Sequence, residues 1–329
     1  MTETLKNSCV LSPSFESPNP AKVPRLQAPR WLAAMWKKVL AILLGVIVGY
    51  WLIDDFNPDV VQGKRVLITG ASTGIGEQMA YHFARMGASV IVTARREQRL
   101  QEVIARCREL GGKSAIFDYI SADMSNLTDT DRVISEVRTR LGGLDYLVLN
   151  HIISAPLGLW VGSTENLTHL DKLFDVNFKA YVHLTSHALP LLTQSKGHII
   201  VMSSLSGKIA QPFTVAYSAS KFALNGFFNG LRQELKMKNC DISITLCVIG
   251  FVGTENAVRE LENFRQDFLL KSVPPEDPSD AALAVIKGGA TGVRELHFPY
   301  FSMKLVTLLR DIVPQTVELF FRQVYQLNS

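Results

Sequence analysis

The chain has 329 residues, a length that at roughly 150 residues per domain admits one large α/β domain or two smaller ones. With 47% hydrophobic and 19% charged residues it can bury a packed core, which excludes a mainly disordered chain, and four cysteines without CxxC or metal-type spacing exclude a small disulfide scaffold and offer no metal site. The net charge is only +4, and much of the excess lies in residues 1–38, where six lysines and arginines face Glu3 and Glu16; the rest is nearly balanced, so no nucleic-acid partner is expected.

Residues 1–30 hold five of the fourteen prolines and several serines, and 1–35 reads as a disordered tail. The run 39–53 (VLAILLGVIVGYWLI) then has 15 residues without a charge. As a helix it is about 23 Å long, and adding 31–36 with Lys37 and Lys38 snorkelling extends it to about 34 Å, enough for a hydrocarbon core of ~30 Å. Residues 36–53 are therefore expected to form a transmembrane signal anchor. A cleaved signal peptide would want small residues just after the run, where Asp54 and Asp55 stand instead. A buried core helix is the other reading, outside the domain described next. Lysines before the run and acids after it place the N-terminus in the cytosol and the remainder across the membrane. The sequons at Asn126 and Asn166 agree with a lumenal, glycosylated domain. Met35, just before Trp-Lys-Lys, is an alternative start.

From residue 63 strand and helix alternate. Strands are expected at 65–69 (RVLIT), 88–93, 114–120, 144–149, 198–203 and 242–248, with helices at 76–86, 96–110 (closed by Gly111-Gly112), 129–141, 167–192 and 217–237. Near-continuous apolar strands between amphipathic helices mean a parallel sheet covered on both faces, a single doubly wound Rossmann-type α/β domain over 63–300.

Strand one runs into Thr69-Gly-Ala-Ser-Thr-Gly-Ile-Gly76 and a helix. Glycine serves where backbone must approach a pyrophosphate, and the helix N-terminus offers free N–H groups and partial positive charge. The loop residues Gly70, Ser72, Thr73, Gly74, Ile75 and Gly76 are thus candidate cofactor ligands. Strand two ends in Thr-Ala-Arg95-Arg96 with no acid for a ribose 2′-hydroxyl, whereas a guanidinium suits a 2′-phosphate, so NADP(H) is expected. Read blandly, Arg95 is an exposed surface arginine. Further on, Tyr217-Ser-Ala-Ser-Lys221 sets a phenol and an ammonium one helical turn apart. An ammonium about 4 Å from a phenolate interacts by about 4 kcal/mol at an effective dielectric of ~20, so Lys221 is expected to hold Tyr217 below its ordinary pKa near 10.

The pattern TGxxxGxG followed by YxxxK resembles the short-chain dehydrogenase/reductase family over residues 63–260. The resemblance adds Ser204 and Asn177, completing an Asn–Ser–Tyr–Lys tetrad: Tyr217 as acid or base, Ser204 on the substrate oxygen, Lys221 on the nicotinamide ribose and Asn177 on a water chain. It also implies cofactor contacts at Asp123, Met124, Asn150, His151, Ile152, Val252 and Thr254. His151 and His183 have no partner at ligand spacing and read as structural. Thr73 stands where many NADP-binding members carry a basic residue.

Within that family, Leu-Asn-His-Ile, Ser-Ser-Leu-Ser-Gly-Lys and Tyr-Ser-Ala-Ser-Lys-Phe-Ala-Leu-Asn-Gly-Phe-Phe are similar to the 11β-hydroxysteroid dehydrogenase type 1 group, including its 1-like members. This implies an endoplasmic reticulum membrane protein, homodimeric, that interconverts 11-hydroxy and 11-oxo steroids. The residues themselves support only a lipophilic substrate, through apolar segments 152–160, 209–215 and 251–273. Gln211 takes a substrate-pocket position that is commonly tyrosine in that group. Retinoid or other lipid carbonyl reduction, and a non-catalytic membrane-tethered module, stay open. So do two readings of 301–329, whose helical apolar spacing breaks at Pro314: a packing or dimer helix, or a patch that dips into the bilayer.

Overall fold

The computed structural model describes residues 56–154, 157–263 and 274–325, within a compact unit spanning Phe56–Ser329. The expected tail at 1–35 and anchor at 36–53 lie outside the described residues, and among the described residues no helix is long and apolar enough to cross a membrane.

Seven parallel strands form one sheet in the order β3-β2-β1-β4-β5-β6-β7: β1 Arg65–Thr69, β2 Ser89–Ala94, β3 Phe117–Ser121, β4 Tyr146–Leu149, β5 His198–Met202, β6 Ser243–Ile249 and β7 Glu295–Phe298. Six of these were expected. β7 was not, because its four residues, Glu-Leu-His-Phe, carry only one buried side chain and no apolar run. It adds to the edge through the register Leu246↔Glu295 to Ile249↔Phe298.

The pleat distributes the strand side chains between two cores. Val66, Ile68, Val90 and Val92 point into one layer, under α1 (Gly74–Arg85), α2 (Glu97–Leu110) and α8 (Pro278–Ala290). Leu67, Ile91, Ile199 and Val201 point into the other, under α3 (Leu127–Leu141), α5 (Ala180–Ser195) and α6 (Val215–Met237). Burial on both sides is why the strands read as continuous apolar runs; each fully buried aliphatic side chain contributes about 1.5–3 kcal/mol.

One expectation needs correction and another is met. The helix expected at 167–192 is two helices, α4 (Thr164–Phe174) and α5, joined through a π-helical turn at Asp175–Lys179. The backbone stays helical through the π turn, so the sequence pattern reads as one long helix. At the end of α2, Gly111 is the C-cap as expected, with φ −97° and its N–H donating to Cys107 O at 2.9 Å. Its lack of a side chain matters because a Cβ there would lie 2.2 Å from Phe117 Cζ.

Beyond β6, α7 (Glu255–Asn263) borders the sheet's C-terminal edge. After β7, α9 (Tyr300–Ile312) and α10 (Pro314–Val324) meet at Val313, with Pro314 opening α10 where its missing N–H costs nothing. Val317 and Phe321 of α10 pack on Leu205 and Ile209.

Candidate active site

The C-terminal ends of the strands open into a cleft of about 1220 Å³. This is the expected ligand position in an open α/β sheet, beside the switch between β1 and β4.

At one end β1 delivers the glycine loop. Gly70 and Gly74 have φ of +64° and +63°, which favours glycine at both. A Cβ on Gly70 would meet His151 Cα at 2.5 Å, and one on Gly76 would meet Asn150 Nδ2 and Gly70 O at 2.5 Å. The loop is held from β4: Thr69 Oγ1 accepts the Asn150 N–H at 2.9 Å, and Asn150 Nδ2 donates to Thr69 O and Gly70 O, both at 3.0 Å. The Asn150 carboxamide is thus committed to the loop backbone. Thr73, the N-cap of α1, makes no side-chain cap bond, so the helix presents free N–H groups to the cleft. Bare backbone, an uncapped helix N-terminus and a nearby cation together fit a dinucleotide's phosphates.

The cation touching the loop is Arg96. Its Nη2 donates to Ser72 Oγ at 3.0 Å and Thr73 Oγ1 at 3.1 Å. Arg95 also lines the cleft and is exposed, and Glu97 does not line it. Asp123 and Met124, after β3, line the same end; Asp123 accepts the Ser125 N–H in an Asx turn. Ile75, Ile152 and Thr254 line the cleft, and Thr254 Cγ2 sits where a Cβ on Gly74 would come within 2.9 Å. Val252 does not join them. It is buried in the sheet core and its backbone bridges to Glu276, because alternation after β6 turns it inward.

The middle of the cleft is built by β5 and α6. Ser204 follows β5 and starts a short 3-10 turn, Leu205–Gly207, where its Oγ accepts the Ser206 N–H at 3.1 Å. Tyr217 lies in the first turn of α6, half-buried in the cleft wall, with the Ser204 hydroxyl placed to stabilise its ionised form. Lys221, one turn later, is buried. Its Nζ donates to Met202 O at 2.7 Å and lies 5.7 Å from the Tyr217 ring centroid and 5.6 Å from that of Tyr181.

Here the structure departs from the electrostatic expectation. Burial raises the Tyr217 pKa above its ordinary value, opposed by Ser204, while burial lowers Lys221 to about 7. Desolvation by burial is the largest cause of both shifts, and the Met202 carbonyl that accepts from the ammonium only partly offsets it.

Asn177 sits in the π turn, fully buried, with Oδ1 accepting from Ile153 N at 2.9 Å and Nδ2 donating to Ile153 O at 3.1 Å. It supports the segment after β4 without lining the cleft. His151 lines the cleft with its ring held in place: Nε2 bonds Val176 O at 3.0 Å, Nδ1 bonds Thr69 Oγ1 at 2.8 Å, and burial with nearby Lys221 lowers its pKa to about 3, so the ring stays neutral. Since a carbonyl only accepts, the proton is on Nε2. Tyr181, which the sequence reading missed, donates to His151 O at 2.8 Å beneath Lys221; its place four residues after Asn177 is the signal that could have found it.

The far end is apolar, walled by Phe251, Met303, Leu309 and Phe320. Gln211 lines it, and its Oε1 accepts from Ser206 Oγ at 3.3 Å and Tyr325 Oη at 3.1 Å. Of the apolar segments expected to flank a substrate, Ile152, Leu157, Thr214 and Leu261 line the cleft, while 264–273 lies outside the described residues.

Comparisons with known proteins agree with this geometry. Residues 64–264 match the short chain dehydrogenase family model. The chain is 46% identical over 293 residues to a hydroxysteroid 11-beta-dehydrogenase 1-like protein of Xenopus tropicalis, covering 89% of this chain and 98% of that one. It is 48% identical over 258 residues to the protein of the same name in Gallus gallus, covering 78% and 86%. Among solved structures, a short-chain dehydrogenase of Burkholderia cenocepacia in complex with NADP superposes with a TM-score of 0.63 at 27% identity, covering 72% of this chain and 96% of that one. One from Burkholderia phymatum in complex with NAD shares the fold, with a TM-score of 0.69 at 20% identity over 78% and 95% of the two chains. The chain belongs to the short-chain dehydrogenase/reductase family of nicotinamide-dependent oxidoreductases.

Proposed function

We infer that this protein is an NADP(H)-dependent oxidoreductase that interconverts the hydroxyl and keto forms of a lipophilic substrate, with an 11-hydroxy/11-oxo steroid as the best-supported pair. The observation that carries the chemistry is that Tyr217, Ser204 and the glycine cradle share one cleft, with Lys221 buried behind the tyrosine. The nicotinamide, when bound, supplies or accepts the hydride. The chain's own residues handle the proton: Tyr217 Oη donates to the carbonyl oxygen as it becomes an alkoxide, and Ser204 Oγ gives that oxygen a second hydrogen bond. In the oxidative direction Tyr217 takes the hydroxyl proton. Lys221 contributes positive charge below the phenol and replenishes its proton, and Asn177 fixes the segment between β4 and α4 that edges the site.

Arg96 on the loop hydroxyls, Arg95 beside it and the missing acid after β2 support a 2′-phosphate, hence NADP(H) over NAD(H). The apolar far wall and the names of the 42–48% identical relatives support a steroid. Gln211, in place of the group's usual tyrosine, favours keeping a second reading: another lipid ketone, such as a retinoid.

The proposal extends to location: residues 36–53 hold the protein on the endoplasmic reticulum membrane with the catalytic domain in the lumen. Residues 301, 305, 308 and 312 of α9 form an exposed apolar row, with Phe301 77% and Ile312 65% exposed, which supports a surface that meets lipid. Asn126, the exposed N-cap of α3, supports a glycan there; the homodimer rests on family resemblance alone.

A panel of 11-oxo steroids, other keto steroids and retinal, offered with NADPH or NADH, tests the reading. Reduction of 11-oxo steroids with NADPH, and a Kd for NADPH that weakens about tenfold or more in Arg96→Ala while that for NADH does not, is the expected result. Turnover of retinal alone transfers the activity to the second reading. Cofactor binding without turnover of any carbonyl leaves a non-catalytic module.

A further inference from the structure

α6 turns a stripe of three side chains toward the segment after β5: Tyr217, Lys221 and Asn225, each one helical turn from the next. Tyr217 lies against the Ser204 hydroxyl, and Lys221 Nζ donates to Met202 O. Asn225 is buried and does not line the cleft. Its Nδ2 donates at 2.7 Å to the carbonyl of Gly207, the last residue of the turn that Ser204 opens. That turn is closed on itself. The Gly207 N–H donates to Ser204 O at 2.9 Å and the Ser206 N–H to Ser204 Oγ at 3.1 Å, so a shift of Gly207 reaches the serine hydroxyl. The contact with α6 has no slack: a Cβ on Gly207 would lie 2.8 Å from Ser203 Oγ, 2.9 Å from Asn225 Nδ2 and 3.0 Å from Lys221 O. For stability alone a carboxamide is a poor choice here. Its Oδ1 is buried with no hydrogen-bond partner among the described residues, and an unpaired buried acceptor is destabilising. What Asn225 supplies is one fixed donor, aimed at the serine's turn from the helix that carries the phenol.

We propose that Asn225 is a positioning residue: by tying Gly207 to α6 it fixes the Ser204 hydroxyl relative to Tyr217. Two donors from different elements, one on a helix and one on a turn, must converge on a single substrate oxygen, and the tie makes them move as one body. The role in turnover rests on the ketone-reductase reading of Ser204 and Tyr217; the hold on the turn does not.

Two readouts on the full chain test it with Asn225→Ala, which removes the donor and the unpaired oxygen together. The first is amide hydrogen exchange without any carbonyl substrate. The Ser206 and Gly207 N–H groups are expected to exchange about tenfold faster or more in the variant, while those of Ile200 and Leu246 in the sheet stay within about threefold of wild type. The second is turnover with NADPH of whichever carbonyl in the panel above wild type reduces fastest. kcat is expected to fall about tenfold or more, with KM and the Kd for NADPH within about threefold. In a Ser204→Ala background the same substitution is expected to change kcat less than about twofold, since no hydroxyl is left to position. Unchanged exchange in the turn, faster exchange shared equally by the sheet, or an equal loss of kcat in both backgrounds overturns the proposal. A wild type that binds NADPH and reduces no carbonyl overturns the reductase reading instead, and the exchange result alone then upholds or overturns the hold on the turn.

Discussion

Lys221 shows how far a single residue was legible in the sequence. The spacing to Tyr217 put both groups on one face of α6, and they are there. What spacing alone does not tell is what the ammonium bonds to. Met202 O, nineteen residues earlier, takes its proton donor at 2.7 Å, and burial dominates the electrostatics of both groups. Arg96 is a similar case: two arginines after β2 look equivalent in sequence, and only the backbone direction at the start of α2 sends one guanidinium onto Ser72 and Thr73. The buried lysine has a consequence for stability. Its pKa falls from 10.5 unfolded to about 7 folded, so between those values the unfolded chain binds more protons and stability rises with pH. Thermal unfolding of wild type and Lys221→Met across this window is expected to show the variant relatively most stable at pH 7, with its advantage shrinking toward pH 10. A difference that does not change with pH would mean the lysine is not desolvated in the folded state.

Among the elements, the strands that carry two-sided burial were legible because they run as nearly continuous apolar stretches, and the helices because their apolar stripes recur at helical spacing. The parts that escaped are those where pattern and backbone separate. β7 has too few apolar residues to announce itself, and its Glu295 instead reaches Lys208, beyond the turn that begins at Ser204. The π turn at Asp175–Lys179 keeps helical backbone on both sides while Asn177 is buried within it. That placement lets one carboxamide satisfy both backbone groups of Ile153. Asn177→Leu strands that N–H and C=O together, and urea denaturation is expected to show a loss of about 2–5 kcal/mol. A loss under about 1 kcal/mol would show that the segment after β4 is held by other contacts. α9 and α10 were visible as an apolar pattern broken at Pro314, but their role as the outer wall of the cleft depends on long-range packing of Val317 and Phe321 that periodicity does not encode.

For the whole molecule, the cleft runs from a polar, cation-lined end to an apolar end capped by α9 and α10, and α9 is apolar on both its cleft side and its outer side. In the proposed reading this helix joins a lipid surface to the cavity, a short route for a substrate that partitions into membrane. Residues 56–329 prepared without the preceding segment are expected to co-float with phospholipid vesicles, and Phe301→Ser with Leu308→Ser and Ile312→Ser is expected to abolish this. Flotation unaffected by the triple change would assign the apolar row to contact between subunits or to packing. The central claim, a phenol that delivers the proton while hydride is transferred in this cleft, is tested most directly by comparing wild type with Tyr217→Phe on an 11-oxo steroid, following NADPH binding and NADPH oxidation in the same samples. The expected result is an unchanged Kd for NADPH and oxidation slowed by about 10²–10⁴-fold. Oxidation at the wild-type rate in Tyr217→Phe would contradict it.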